Sequence, residues 1–118
     1  MFSINIEKIT LKNNHYRKVL YTDPQQQLVV MSLSPGEDIP QESHNGSQFF
    51  RIEEGNGVAL VKKKRVILKD GTSLIVPKNT KHTIKNTSKT NSLKMYSIYS
   101  PPQHPSETLH KRQKDDNH

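Results

Sequence analysis

Gly36-Glu37-Asp38-Ile39-Pro40-Gln41-Glu42-Ser43-His44-Asn45-Gly46-Ser47-Gln48 and, farther on, Gly71-Thr72-Ser73-Leu74-Ile75-Val76-Pro77-Lys78-Asn79-Thr80-Lys81-His82-Thr83-Ile84-Lys85-Asn86 are the two stretches on which the fold turns. Residues two apart on a strand project to the same face, so Glu42 and His44 point the same way. Asn45-Gly46 carries the chemistry of a tight hairpin turn, which would bring Gln48 back beside them. His82 follows a turn at Pro77-Lys78-Asn79 in the second stretch. Two imidazoles, one carboxylate and one amide oxygen make a donor set suited to a divalent cation such as zinc or iron.

Outward from these stretches the chain reads as short strands separated by Gly, Asn and Pro. Ile9–Lys12 and Arg17–Thr22 flank the polar Asn13-Asn14-His15, and Gln27–Leu33 is a longer apolar strand ended by Ser34-Pro35-Gly36. Gln48–Glu53, Val58–Val61, Arg65–Leu68, Ser73–Val76, His82–Lys85 and Lys94–Tyr99 complete the set. Counting by two from Gln48 places Phe50 and Ile52 inward and Arg51 and Glu53 outward. Residues 1–7 read as an arm, and no helical stripe precedes the tail. Many short strands at regular spacing predict an all-β fold of two antiparallel sheets closed into a barrel.

Both stretches resemble the paired motifs of the cupin superfamily. Their spacing matches throughout, from Gly36 through Glu42, His44 and Gln48 to Gly55, and from Gly71 through Pro77, Asn79 and His82 to Asn86. Three identities depart from the family pattern: Glu42 stands where His is usual, Gln48 where Glu is usual, and Asn79 where Gly is usual. Asn tolerates a left-handed backbone, so Asn79 can serve the turn. His to Glu adds a negative charge and Glu to Gln removes one, so the summed ligand charge is unchanged. The resemblance spans about residues 9–102 and implies a single-domain jelly-roll barrel, with Glu42, His44, Gln48 and His82 around a divalent cation. An amide oxygen is the weakest donor of the four, so Gln48 ligates loosely or orients a bound water.

The wider run from Gln48 to Gly55, Val76-Pro77, His82 to Asn86, and Tyr96 to Pro105 resembles small single-domain cupins described as mannose-6-phosphate isomerase-like. Cupin phosphomannose isomerases hold zinc with Gln, His, Glu and His, the same composition with Glu and Gln exchanged in order. The resemblance therefore favours aldose–ketose isomerisation of a sugar phosphate, with zinc as the expected ion and iron or manganese as alternatives. An iron-dependent dioxygenase is the second enzymatic reading, since two histidines and a carboxylate suit non-haem iron. A non-catalytic module binding a sugar or small acid in the lumen is the third. No catalytic base is identified. Tyr96 and Tyr99 lie on the last strand, where a buried structural role is the simpler reading.

The chain has 118 residues, enough for one domain with a modest core. It has no cysteine, which excludes disulfides, thiolate metal sites and a cysteine nucleophile. No apolar run approaches a membrane span and no signal-peptide core is evident, so the expected location is cytoplasmic. The formal net charge is +7, with the basic run Lys62-Lys63-Lys64-Arg65 at its densest point. That run lies between two strands and reads as a solvated hairpin tip. No basic helix or aromatic platform accompanies it, so specific nucleic-acid binding is not expected. The barrel is assigned to residues 1–102. Residues 103–118 read as a polar tail, mobile or docked on the barrel rim. His104, His110 and His118 in this tail, and His15 at a strand connection, are read as bystanders. A homodimer built partly from residues 1–12 is expected, because exposed sheet edges need covering.

Overall fold

The structure, a computed structural model, describes residues 1–115. One helix precedes ten strands: α1 (Ile6–Lys12), β1 (Arg17–Thr22), β2 (Gln27–Leu33), β3 (Asp38–Glu42), β4 (Ser47–Glu54), β5 (Gly57–Val61), β6 (Lys64–Leu68), β7 (Ser73–Val76), β8 (His82–Asn86), β9 (Leu93–Ser100) and β10 (Leu109–His110). They form a six-stranded sheet in the order β10-β1-β2-β9-β4-β7 and a four-stranded sheet in the order β3-β8-β5-β6. Neighbouring strands pair antiparallel. The two sheets face each other as a jelly-roll barrel, the all-β class expected. Among the described residues, no helix is long and apolar enough to cross a membrane.

The core follows the alternation of the strands. Phe50 and Ile52 on β4, Val29 and Met31 on β2, Ile84 on β8, Ala59 on β5, and Leu93 and Met95 on β9 are buried in one cluster. Gln48, Phe50 and Ile52 share the inward face, while Arg51 and Glu53 are half-buried on the other. Burying a side chain such as Phe50 contributes about 2–3 kcal/mol each through apolar area removed from water. That inward face also carries Gln48 into the lumen.

Two local expectations fail, for identifiable reasons. Ile9–Lys12 is the end of α1 rather than a strand. Asn5 caps the helix by accepting from the Lys8 N–H (3.0 Å), Glu7 sits in the first turn and Lys12 in the last, which suits the helix dipole. The cap was hidden because the segment is short and apolar residues occupy both periods. Likewise, Asn45-Gly46 is not a hairpin turn. β3 belongs to the four-stranded sheet and β4 to the six-stranded one, so the segment crosses between sheets.

α1 packs against β9, β2 and β4. Buried Lys94 of β9 anchors its end, its Nζ donating to the Asn13 carbonyl and to Asn14 Oδ1. Burial holds the Lys94 ammonium below the ordinary lysine range, with Glu54 opposing the shift. Over that alkaline window the unfolded chain binds a proton that the native chain has released, so stability rises with pH there. Lys94→Met is expected to cost about 1–3 kcal/mol by leaving the Asn13 carbonyl without its donor. Denaturant unfolding against pH should show both that loss and a flattened alkaline rise. An unchanged midpoint and pH profile would refute the anchoring role.

Candidate metal centre

His82, Glu42 and His44 meet on one side of the lumen. Glu42 ends β3 and pairs in register with His82 at the start of β8. His44 lies two residues beyond β3, and its carbonyl accepts from the Asn79 N–H at 2.8 Å. Asn79 has φ of 60°, the left-handed turn conformation expected of it. The His44 Nε2 lies 3.0 Å from Glu42 Oε1, and the His82 Nε2 lies 3.7 Å from the same oxygen. One ligand atom from each residue falls within 4.8 Å of the others. Both histidines are buried and Glu42 is half-buried.

The hydrogen bonds around these groups orient their lone pairs. His82 Nδ1 lies 2.9 Å from the Thr80 carbonyl. A carbonyl only accepts, so Nδ1 carries the proton and Nε2 presents a lone pair. That Nε2 is buried without a hydrogen-bond donor. Gln48 approaches from the opposite sheet, on β4, where it is buried and pairs in register with Tyr99. Its Nε2 donates to Ser97 Oγ at 2.8 Å, and its Oε1 is a buried acceptor with no donor. A buried acceptor left unmatched costs about 1–3 kcal/mol. A carboxylate, two such acceptors and a second imidazole in one lumen fit a cation, which satisfies lone pairs where a further acceptor cannot.

Rings surround this cluster. The His44 ring is 5.7 Å from that of His82 and 5.2 Å from that of Tyr99, and Phe50 lies 6.1 Å from His82. His104 completes the wall. It is buried, edge-on to Tyr99 at 5.1 Å and 6.4 Å from His44, with its Nε2 3.2 Å from the Tyr99 hydroxyl. The fully buried Gln27 holds it there: Gln27 Nε2 donates to the His104 carbonyl (2.7 Å), and Gln27 Oε1 accepts from the His104 N–H (3.1 Å).

His104 is therefore not the bystander in a polar tail that its sequence surroundings suggest, but a buried residue packed on Tyr99. The overlooked signal was proline: Pro101, Pro102 and Pro105 stiffen the segment around it, whereas polarity alone suggests mobility. Residues 103–115 lie on the barrel, with β10 pairing β1 and Gln113 Oε1 accepting from the Asp38 N–H at 3.2 Å. His110 faces Arg17 (Nδ1 to Nη1, 3.3 Å), and His15 is half-buried after α1, so neither joins the centre. His118 lies outside the described residues. Tyr99 is fully buried as expected, but against the site histidines. Tyr96 packs on Phe49 instead.

Residues 29–99 match the Cupin domain family. The chain belongs to the cupins. This cupin is 45% identical over 109 residues to protein L612 of Acanthamoeba polyphaga mimivirus, covering 89% of this chain and 68% of that protein. It is 41% identical to YrkC of Bacillus subtilis, covering 97% of this chain and 64% of YrkC. It thus spans about two thirds of the length of both relatives. The crystal structure of BH2720 from Bacillus halodurans superposes with a TM-score of 0.92 at 37% identity, covering 96% of this cupin and 90% of that chain.

Proposed function

We propose that this cupin binds one divalent cation through Glu42, His44 and His82, with Gln48 as a weaker fourth ligand, and acts on a small molecule held in the lumen. The observation that carries this reading is the pair of buried acceptors without donors, His82 Nε2 and Gln48 Oε1, in the lumen that also holds Glu42.

The reaction class favoured is aldose–ketose isomerisation of a sugar phosphate, with zinc as the ion. A bound cation would polarise the sugar carbonyl and stabilise charge developing on the adjacent oxygens. The protein's own part is proton transfer between neighbouring carbons. His104 supports this reading, because Gln27 fixes its backbone and Tyr99 meets its ring nitrogen inside the site. The test is direct. Metal analysis of the purified protein should find about one zinc per chain, and isomerisation of hexose and pentose phosphates should fall when His104 becomes Gln. Turnover of no sugar phosphate by the zinc-loaded protein would reject the isomerase.

The donor set of two imidazoles and one carboxylate favours one alternative, an iron-dependent dioxygenase. Native iron together with oxygen uptake would select it. Association as a homodimer through residues 1–12 belongs to the same reading. It is supported by the apolar Phe2, Ile4, Ile9 and Leu11, all exposed on this segment. Sedimentation of the full chain should give a dimer. A monomer at micromolar concentration would refute it.

A further inference from the structure

The basic run Lys62–Arg65 takes no part in the lumen site, yet its backbone is unusual. Val61 pairs with Lys64, so Lys62 and Lys63 alone form the β5–β6 turn. Both are left-handed, with φ of 49° and 68°. A two-residue turn of this kind favours Asn-Gly, because a Cβ at positive φ is crowded. Two lysines therefore stand where the backbone disfavours them, and strain of this kind concentrates at functional positions.

The turn borders a groove of about 620 Å³ on the outer face of the four-stranded sheet. Lys62, Lys63 and Lys81 supply its charge, Gln41, Asn79 and Thr83 supply neutral polar groups, and half-exposed Leu60 supplies an apolar surface. Among the described residues, none of those lining it is acidic. The Lys62 N–H donates to the Lys81 carbonyl at 3.2 Å, which ties the two sources of ammonium groups together. Leu60 and Thr83 are register partners on β5 and β8, and their strand neighbours Val61 and His82 face the lumen instead. The groove thus lies behind the metal centre, across one sheet.

We infer that this groove is a binding site for a small organic phosphate, separate from the lumen. Three lysines lining one groove, with no carboxylate among the described lining residues, call for a compact dianion, and lysine is a point-charge partner of phosphate. The Leu60 surface suits an organic body, and the volume lies within the range of about 300–1,000 Å³ common to small-molecule sites. The presence of lysine at two strained positions is then explained by the charge placed at the rim.

The experiment pairs two readouts on one variant. The double substitution Lys62→Asn and Lys63→Gly relaxes the turn while removing two charges. Its melting temperature is expected to rise by about 4 °C or more. Its affinity for phenyl phosphate, titrated at constant ionic strength with chelator present, is expected to fall about tenfold or more. Lys81→Ala should weaken binding in the same direction. Chelator excludes phosphate held by a lumen cation, so failure here is distinguishable from failure of the metal reading. Phenyl phosphate bound equally well by the double variant, or not bound by the natural chain, overturns the inference. Binding confined to single-stranded oligonucleotide, with no response to phenyl phosphate, also overturns it.

Discussion

His82→Ala is expected to lower divalent-metal affinity by about 100-fold or more, and His44→Ala to do the same. Loss of an outer-shell partner of a metal ligand typically costs about 10–100-fold, so loss of the ligand itself belongs at or beyond the upper end. His82 is the more constrained of the two, because the Thr80 carbonyl holds its Nδ1 and commits Nε2 to the lumen. Gln48→Ala should cost less, about tenfold, since an amide oxygen donates more weakly than an imidazole. Gln48→Glu should tighten binding by adding an anionic ligand while reducing the Lewis acidity of the bound ion. Ser97→Ala separates orientation from ligation. It removes the partner of the Gln48 amide nitrogen and leaves the oxygen chemically intact. Equilibrium dialysis against zinc across these five variants gives the ranking. Full stoichiometry and affinity in both histidine variants would place the ion elsewhere and remove the basis of the isomerase reading.

What could be read from the sequence was whatever depends on period two and on fixed spacing. β1, β2 and β7 have the ends expected from their apolar runs, because Pro, Gly and Asn punctuate each one. Glu42, His44 and His82 meet as the resemblance to the paired cupin motifs implied. The left-handed backbone expected at Asn79 is present. What was hidden depends on distant partners. Gln27 and His104 are far apart in sequence, and neither is informative alone; the clamp of the Gln27 side-chain amide on the His104 backbone sets the His104 ring beside Tyr99 and His44. The position of Asn45-Gly46 was hidden for a similar reason. Dipeptide chemistry describes a turn, whereas the decision between hairpin and sheet crossing is made by which strand each flank finds. The lysine turn shows the converse: Lys62-Lys63 lacks turn chemistry, yet pairing of β5 with β6 imposes the turn on it.

Gly46→Ala is expected to destabilise the fold by about 3 kcal/mol, against the usual sign of a glycine-to-alanine change, which stabilises by about 0.4–1 kcal/mol where the conformation and space allow. Gly46 has no left-handed backbone, so conformational freedom is not what requires it. The requirement is space. A Cβ there would lie 2.5 Å from the Ser100 carbonyl oxygen and 2.7 Å from Pro101 Cδ. Neither neighbour is the end of a flexible side chain: one is backbone and the other a ring, so the segment itself must shift. That segment carries His44, and the strand end it presses against leads through Pro101 and Pro102 to His104. The same substitution should therefore weaken zinc binding as well as stability. Gly71→Ala provides the comparison. Its site is open, with no atom within 4 Å of the added Cβ, but its φ is +87°. It should cost only about 1 kcal/mol, from backbone strain alone, and leave zinc affinity unchanged. Urea midpoints and zinc titrations of the two variants decide the matter. If Gly46→Ala is no worse than Gly71→Ala in both measurements, the close approach of the crossing segment to Ser100 and Pro101 does not hold His44 in place.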